Sequence, residues 1–147
     1  VKGNEYKEDL ISGDATAVIA WSGDMFQLAT ENEGKFDFAI PESGGTISGD
    51  NFLIPSTATP EGKKNAETLI NYYYDPAVAA EVAAYVNYVT PVVGAKEEMM
   101  KTDPALAENP LIFPSEEFLS NVHAFRALTG QEEQRFATAW QNVLLGA

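Results

Sequence analysis

The sequence predicts an α/β fold, on three observations. Residues 15–21 (ATAVIAW) and 35–40 (KFDFAI) have the length and residue types of strands. Several other segments carry apolar residues at three- and four-residue spacing, as helices with one buried face do. These two patterns interleave along the chain rather than segregating into halves. With 147 residues, 45% of them hydrophobic and 21% charged, the chain has the composition of a folded protein able to bury a core.

Taken in order, residues 6–11 place Tyr6, Leu10 and Ile11 on one face of a short helix that stops at the Ser12, Gly13, Asp14 turn. Residues 15–21 are almost continuously apolar, which predicts a strand buried on both faces. Ser22, Gly23 and Asp24 break it and open a helix carrying Met25, Phe26 and Leu28, with Ser22 or Asp24 as N-cap. Residues 35–40 alternate and are closed by Pro41, so a second strand is expected there. The stretch 41–55 begins as a glycine-rich loop and turns β-like at Phe52, Leu53 and Ile54.

Ala66, Leu69, Ile70 and Tyr73 predict an amphipathic helix over 64–74. Asp75 then caps a second helix with Pro76 at its first position and Val78, Ala79, Val82, Ala83 and Val86 on one stripe, ending at Tyr88 before Thr90 and Pro91. A short helix is expected from Glu97 and another behind the Asp103 cap at Pro104. Ser115 followed by two glutamates predicts a helix bearing Phe118, Leu119, Val122 and Phe125 and ending at Gly130. A terminal amphipathic helix follows from Gln131 through Phe136, Trp140 and Leu144.

Asp and Glu number 22 against 9 Lys and Arg, a net charge of −13. Such a surface repels phosphate backbones and anionic headgroups, so nucleic-acid partners are not expected, whereas a cationic ligand is favoured. Without cysteine there is no disulfide, thiolate metal site or cysteine nucleophile. The longest apolar run, 17–21, falls far short of the roughly 20 residues that cross a bilayer. His123 is the one histidine and has no metal-binding or triad neighbour, so it reads as a surface or helix-packing residue. No nucleophile elbow, dinucleotide fingerprint or phosphate loop occurs, and no enzyme, metal or cofactor is implied.

What remains is a set of aromatic and acidic residues at element ends. Trp21 closes the apolar segment with Asp24 three residues on, Asp50 follows Gly49 in a turn, and Tyr88 closes a helix. If the four converge, two carboxylates and two ring faces make a box for an organic diammonium ion, each cation–π contact contributing roughly 0.5–2 kcal/mol. Each also has a plainer reading: Trp21 as core, Asp24 as N-cap, Asp50 as turn former and Tyr88 as an apolar anchor.

WSGD at 21–24, FAIPESGGTISGDNFLIP at 38–55, AETLINYYYDPAVAAEVAAYVNYVTP at 66–91 and NPLIFPSEE at 109–117 resemble the C-terminal part of spermidine/putrescine-binding proteins. These are the extracytoplasmic substrate-binding components of polyamine ABC importers. The resemblance implies part of a two-lobed periplasmic-binding-protein-like fold of type II, with residues 1–45 in the second lobe, 46–113 in the first and 114–147 returning to the second. It implies that Trp21 lies flat on a polyamine chain, that Asp24 and Asp50 take ammonium heads and that Tyr88 walls the pocket. Ser48 stands where relatives carry an aromatic residue, which removes one apolar wall, and the glutamine that some spermidine binders carry near His123 and Phe125 is not matched, which leans toward putrescine or toward a different cation. A periplasmic or extracellular location, with or without a lipid anchor, and permease subunits as partners follow from the same resemblance.

The chain starts at Val1 with no Met and no leader pattern, so the expectation is that a leader has been removed or that Val1 is not the natural start. The resemblance implies a fragment, with the first-lobe strands and the family's remaining ligand residues upstream. Alone, it is expected to domain-swap, to dimerise through unpaired edges, or to bind polyamine weakly. The alternatives are a protein of the same fold for a ferric complex, thiamine or a quaternary amine, and a stand-alone interaction module.

Overall fold

A computed structural model describes residues 5–146. Among them are eight helices and two short strands in the order α1 (Tyr6–Ser12), α2 (Ser22–Glu31), β1 (Gly45–Ile47), α3 (Pro60–Tyr73), α4 (Pro76–Val86), α5 (Ala95–Thr102), α6 (Pro104–Ala107), α7 (Glu116–Ser120), β2 (Val122–Ala124) and α8 (Gly130–Leu145). No helix among the described residues is long and apolar enough to cross a membrane.

The helix starts follow from side chains that accept backbone N–H groups otherwise left without partners. Thr59 accepts from Gly62 at the head of α3, which begins at Pro60 rather than residue 64. Asp75 accepts from Ala77 at 3.0 Å and Val78 at 3.5 Å at the head of α4, again with proline at the first position. Asp103 caps α6 through Leu106, and Ser115 caps α7 through Phe118. At α2 the expected cap is not made: Trp21 occupies the N-cap position, and neither Ser22 nor Asp24 bonds the first turn. The Asp24 carboxylate is engaged elsewhere.

Two apolar clusters form, each from one stretch of chain. Tyr6, Leu10, Met25 and Leu28 are buried together, with Val18, Ala20, Phe36 and Phe38 packed against them. Ala79, Ala80, Ala83, Ala95, Met99, Ala107 and Ile112 make the second, where α4 packs on α5 and α5 on α6. The abundance of alanine on α4 lets its partner helix approach closely.

The strand expectations are largely corrected. Residues 15–21 form no regular element and pair with no strand, and Ile19 is fully exposed at 101%. Residues 35–40 also lack a ladder, although Phe36, Phe38 and Ile40 face inward while Lys35, Asp37 and Ala39 face out. Residues 52–54 are irregular, with Phe52 edge-on to Tyr73 at 5.1 Å. A strand is defined by a neighbour as much as by its own residues, and among the described residues these segments have none.

The sheet that does form is a parallel pair, with Gly45 opposite Val122, Thr46 opposite His123 and Ile47 opposite Ala124. Gly44 leads into it at φ 93°, where a Cβ would stand 2.9 Å from the Asn121 carbonyl, so only glycine fits. This pairing overrides the helix expected through Phe125: α7 ends at Ser120, and His123 lies in a strand rather than a helix. Gly130 opens α8 instead of closing its predecessor, because Thr129 and Glu132 form a reciprocal capping box.

Candidate functional site

Asp24 stands at the centre of the polar groups that link α1, α2 and the segment after α4. It lies in the first turn of α2, where the helix dipole favours a carboxylate. Its Oδ2 accepts a 2.6 Å hydrogen bond from the Tyr6 hydroxyl. Its Oδ1 receives only longer contacts, 3.5 Å from the Tyr88 hydroxyl and 3.7 Å from Lys7 Nζ. One oxygen is therefore committed to the scaffold and the other is loosely held.

Three local features place these groups. Tyr6 sits on the inner face of α1, and its oxygen also accepts the Trp21 backbone N–H at 3.4 Å, tying α1 to the start of α2. At the end of α4, Asn87 adopts a left-handed conformation at φ 59° while its side chain donates to the Ala84 carbonyl at 2.8 Å. This reversal turns the chain so that Tyr88 leaves the helix and reaches α2. Gly23 receives the Tyr88 ring: a Cβ there would collide with Cδ2, Cε2 and Cζ, so a side chain at residue 23 and the ring cannot share the space.

Burial of the Tyr6 phenol, reinforced by its bond to Asp24, pushes its pKa up to about 12. Tyr88 is also raised, first by burial and then by the Asp24 charge. Both phenols therefore stay protonated at neutral pH as donors to the carboxylate.

Of the five residues singled out from sequence, the fold brings Asp24 and Tyr88 into contact. Trp21 is next to them through its backbone, and its side chain is 54% exposed, which makes it an accessible ring rather than a core one. Ser48 and Asp50 lie in an exposed irregular segment, not a defined turn, and no hydrogen bond, ion pair or ring contact joins either to the Asp24 group. The side-chain contact present among the four is that between Asp24 and Tyr88. Tyr6 and Lys7 were not anticipated. Tyr6 reads from sequence as one apolar position of a helix face, and its only signal is that a buried tyrosine hydroxyl needs a partner.

An open cleft of about 520 Å³ lies beside the same turn, lined by Val89, Thr90, Ile112, Phe113 and the Lys96–Glu108 pair at 3.4 Å. None of the five residues lines it. Among the described residues, no group of three or more His, Asp or Glu could hold a metal ion.

Comparison with known proteins adds an independent line. Residues 2–113 match the family model described as bacterial extracellular solute-binding protein. Over 154 residues the chain is 25% identical to the putrescine-binding periplasmic protein SpuD of Pseudomonas aeruginosa, covering 97% of this chain and 39% of that protein. It is 30% identical over 118 residues to the spermidine/putrescine-binding periplasmic protein of Escherichia coli, covering 80% of this chain and 31% of that protein. A putrescine/cadaverine-binding protein of Pseudomonas aeruginosa is 23% identical over 150 residues, 97% of this chain and 40% of its own. The chain spans less than half the length of these relatives.

Proposed function

The chain belongs to the bacterial extracellular solute-binding proteins, and from that membership we propose that it supplies part of the binding site for a polyamine, putrescine or spermidine, delivered to an ABC importer. The single observation that carries this reading is Asp24, held in the first turn of α2 by Tyr6 with Oδ1 only loosely engaged by Tyr88 and Lys7, three residues after an exposed Trp21. An alkylammonium head bonds a carboxylate, while the methylene stem lies along ring faces that also attract the charge. The net charge of −13 raises the local concentration of such a cation.

In this reading Trp21 covers the stem, Asp24 takes one head and Tyr88 closes the side. Asp50 takes the second head from an exposed segment where its carboxylate has no partner among the described residues, with Ser48 nearby leaving space where a ring would stand. The role is capture and release without catalysis, outside the cytoplasm and in the periplasm named for the relatives, with permease subunits as partners. The lobe assignment 1–45, 46–113 and 114–147 is supported by the two clusters: one uses only residues up to Phe38, the other only Ala79 to Phe113. The chain passes between these segments through β1 and returns through β2, and Tyr88 with Asp24 bridges them. Binding is then a matter of two lobes closing on a ligand that bridges them.

A second reading, a quaternary or single-headed amine in the same fold, is favoured by the lack of any hydrogen bond or ion pair joining Asp50 to the Asp24 group and by the missing ring at Ser48. Isothermal calorimetry with putrescine, spermidine, choline and glutamate separates the two. The polyamine reading expects binding heat with putrescine or spermidine, weakened at least about tenfold in Asp24→Asn through loss of a charge-assisted bond. Heat with choline alone selects the second reading, and heat with glutamate alone overturns both.

A further inference from the structure

Lys7 brings to Asp24 the same chemistry that a polyamine would bring: a primary ammonium on a stem of four methylenes. Its Nζ lies 3.7 Å from Oδ1, the loosely held oxygen, and not against Oδ2, which Tyr6 occupies at 2.6 Å. The pair is not sealed, since the Lys7 side chain keeps 35% of its exposure and that of Asp24 keeps 16%. A long flexible side chain on α1 can therefore swing into solvent without disturbing the Tyr6 bond that holds the carboxylate.

Resting on the polyamine reading, we infer that Lys7 is the resident counter-ion of Asp24, displaced by the ligand's ammonium, and so a residue that sets the affinity and selectivity of the site. While Lys7 is in place the pair is neutral, and a neutral or anionic solute gains nothing from Asp24. A ligand cation must exchange for the lysine one for one. The exchange conserves charge at the carboxylate, so the net attraction is reduced by what the internal pair contributes, and only a ligand with further contacts, such as those offered by Trp21, comes out ahead. Tyr88, donating to the same oxygen at 3.5 Å, is retained in either state.

The test is putrescine calorimetry on the protein and on Lys7→Met, Lys7→Arg and Lys64→Met. Lys64 is exposed on α3 and, among the described residues, makes no ion pair, so its substitution controls for the change in net charge. Lys7→Met is expected to bind putrescine about two- to fivefold more tightly, the range that a partly exposed ion pair contributes. Lys7→Arg, which keeps the charge, and Lys64→Met are expected to bind as the parent does. Equal or weaker binding by Lys7→Met, or equal tightening by Lys64→Met, overturns the role of Lys7 and leaves the polyamine reading standing. Absence of heat in all four proteins overturns both.

Discussion

Replacing Tyr6 by Phe removes one oxygen and leaves the ring in the cluster formed by Leu10, Met25 and Leu28, so no cavity is created. Two hydrogen bonds are lost. The bond to Asp24 Oδ2 is short, at 2.6 Å, and ends on a charged acceptor, a class that contributes about 1.5–3 kcal/mol. The Trp21 N–H bond is long, at 3.4 Å, and adds little. Because Asp24 retains 16% of its side-chain exposure, water can replace part of the lost bond, which places the expected cost near the lower end, about 2 kcal/mol. Equilibrium urea unfolding followed by circular dichroism reads this as a fall of roughly 1 M in the midpoint at unchanged slope. A second signature comes from pH. The folded protein holds the Tyr6 proton to about pH 12, whereas the unfolded phenol releases it near 10.0. The stabilisation is therefore complete below pH 10.0 and is lost as pH rises toward 12. Tyr6→Phe abolishes that loss and removes the late phenol titration near 12 from the absorbance curve. A destabilisation below about 0.5 kcal/mol, the level of an ordinary surface substitution, with the late titration still present, refutes the role given to this bond.

Other substitutions and conditions test the surrounding structure. Gly23→Ala displaces the Tyr88 ring, and absorbance titration is expected to show the Tyr88 phenol returning toward its ordinary value, with a stability cost of about 1–3 kcal/mol from overpacking. An unchanged titration counts against the contact. Asp75→Ala removes the acceptor at the head of α4 and is expected to cost about 1 kcal/mol in urea unfolding, while Asp75→Ser retains most of the stability. Arg126, ahead of Thr129 backbone and side-chain bonds, holds the Glu132 carboxyl down to about 2. A depressed carboxyl stabilises above its unfolded value of 4.5 and stops doing so as pH falls to about 2, so the helical signal of α8 should weaken over that window and not above it. Glu132→Gln should remove the dependence.

The features legible in sequence are those made by neighbours along the chain. The caps at Asp75, Asp103 and Ser115 are bonds between a side chain and N–H groups two or three residues ahead, so the residue type and the following proline or glutamates announce them. The strands were not legible for the opposite reason. Residues 15–21 and 35–40 have strand composition but no ladder among the described residues, while Val122, His123 and Ala124 sit on a helical pattern and become a strand because Gly45, Thr46 and Ile47 lie beside them. That partner is contributed from far away in the chain, and no local pattern records it. At the candidate site, Asp24, Tyr88 and Trp21 stand out in sequence because acid and aromatic residues at element ends are conspicuous. Lys7 was missed because an exposed lysine on a short helix carries no positional signal, and its meaning comes only from the oxygen it faces.

A cation held at Asp24 beside Trp21 is most directly tested by indole fluorescence during a putrescine titration. The chain has two tryptophans, so the measurement is made in Trp140→Phe, which removes the exposed indole of α8 and leaves Trp21 as the reporter. The account predicts a saturable change in Trp21 emission with putrescine that is lost or shifted to much higher concentration in the same protein carrying Asp24→Asn. Emission that stays flat while calorimetry records putrescine binding, or that responds identically with Asn at position 24, contradicts it.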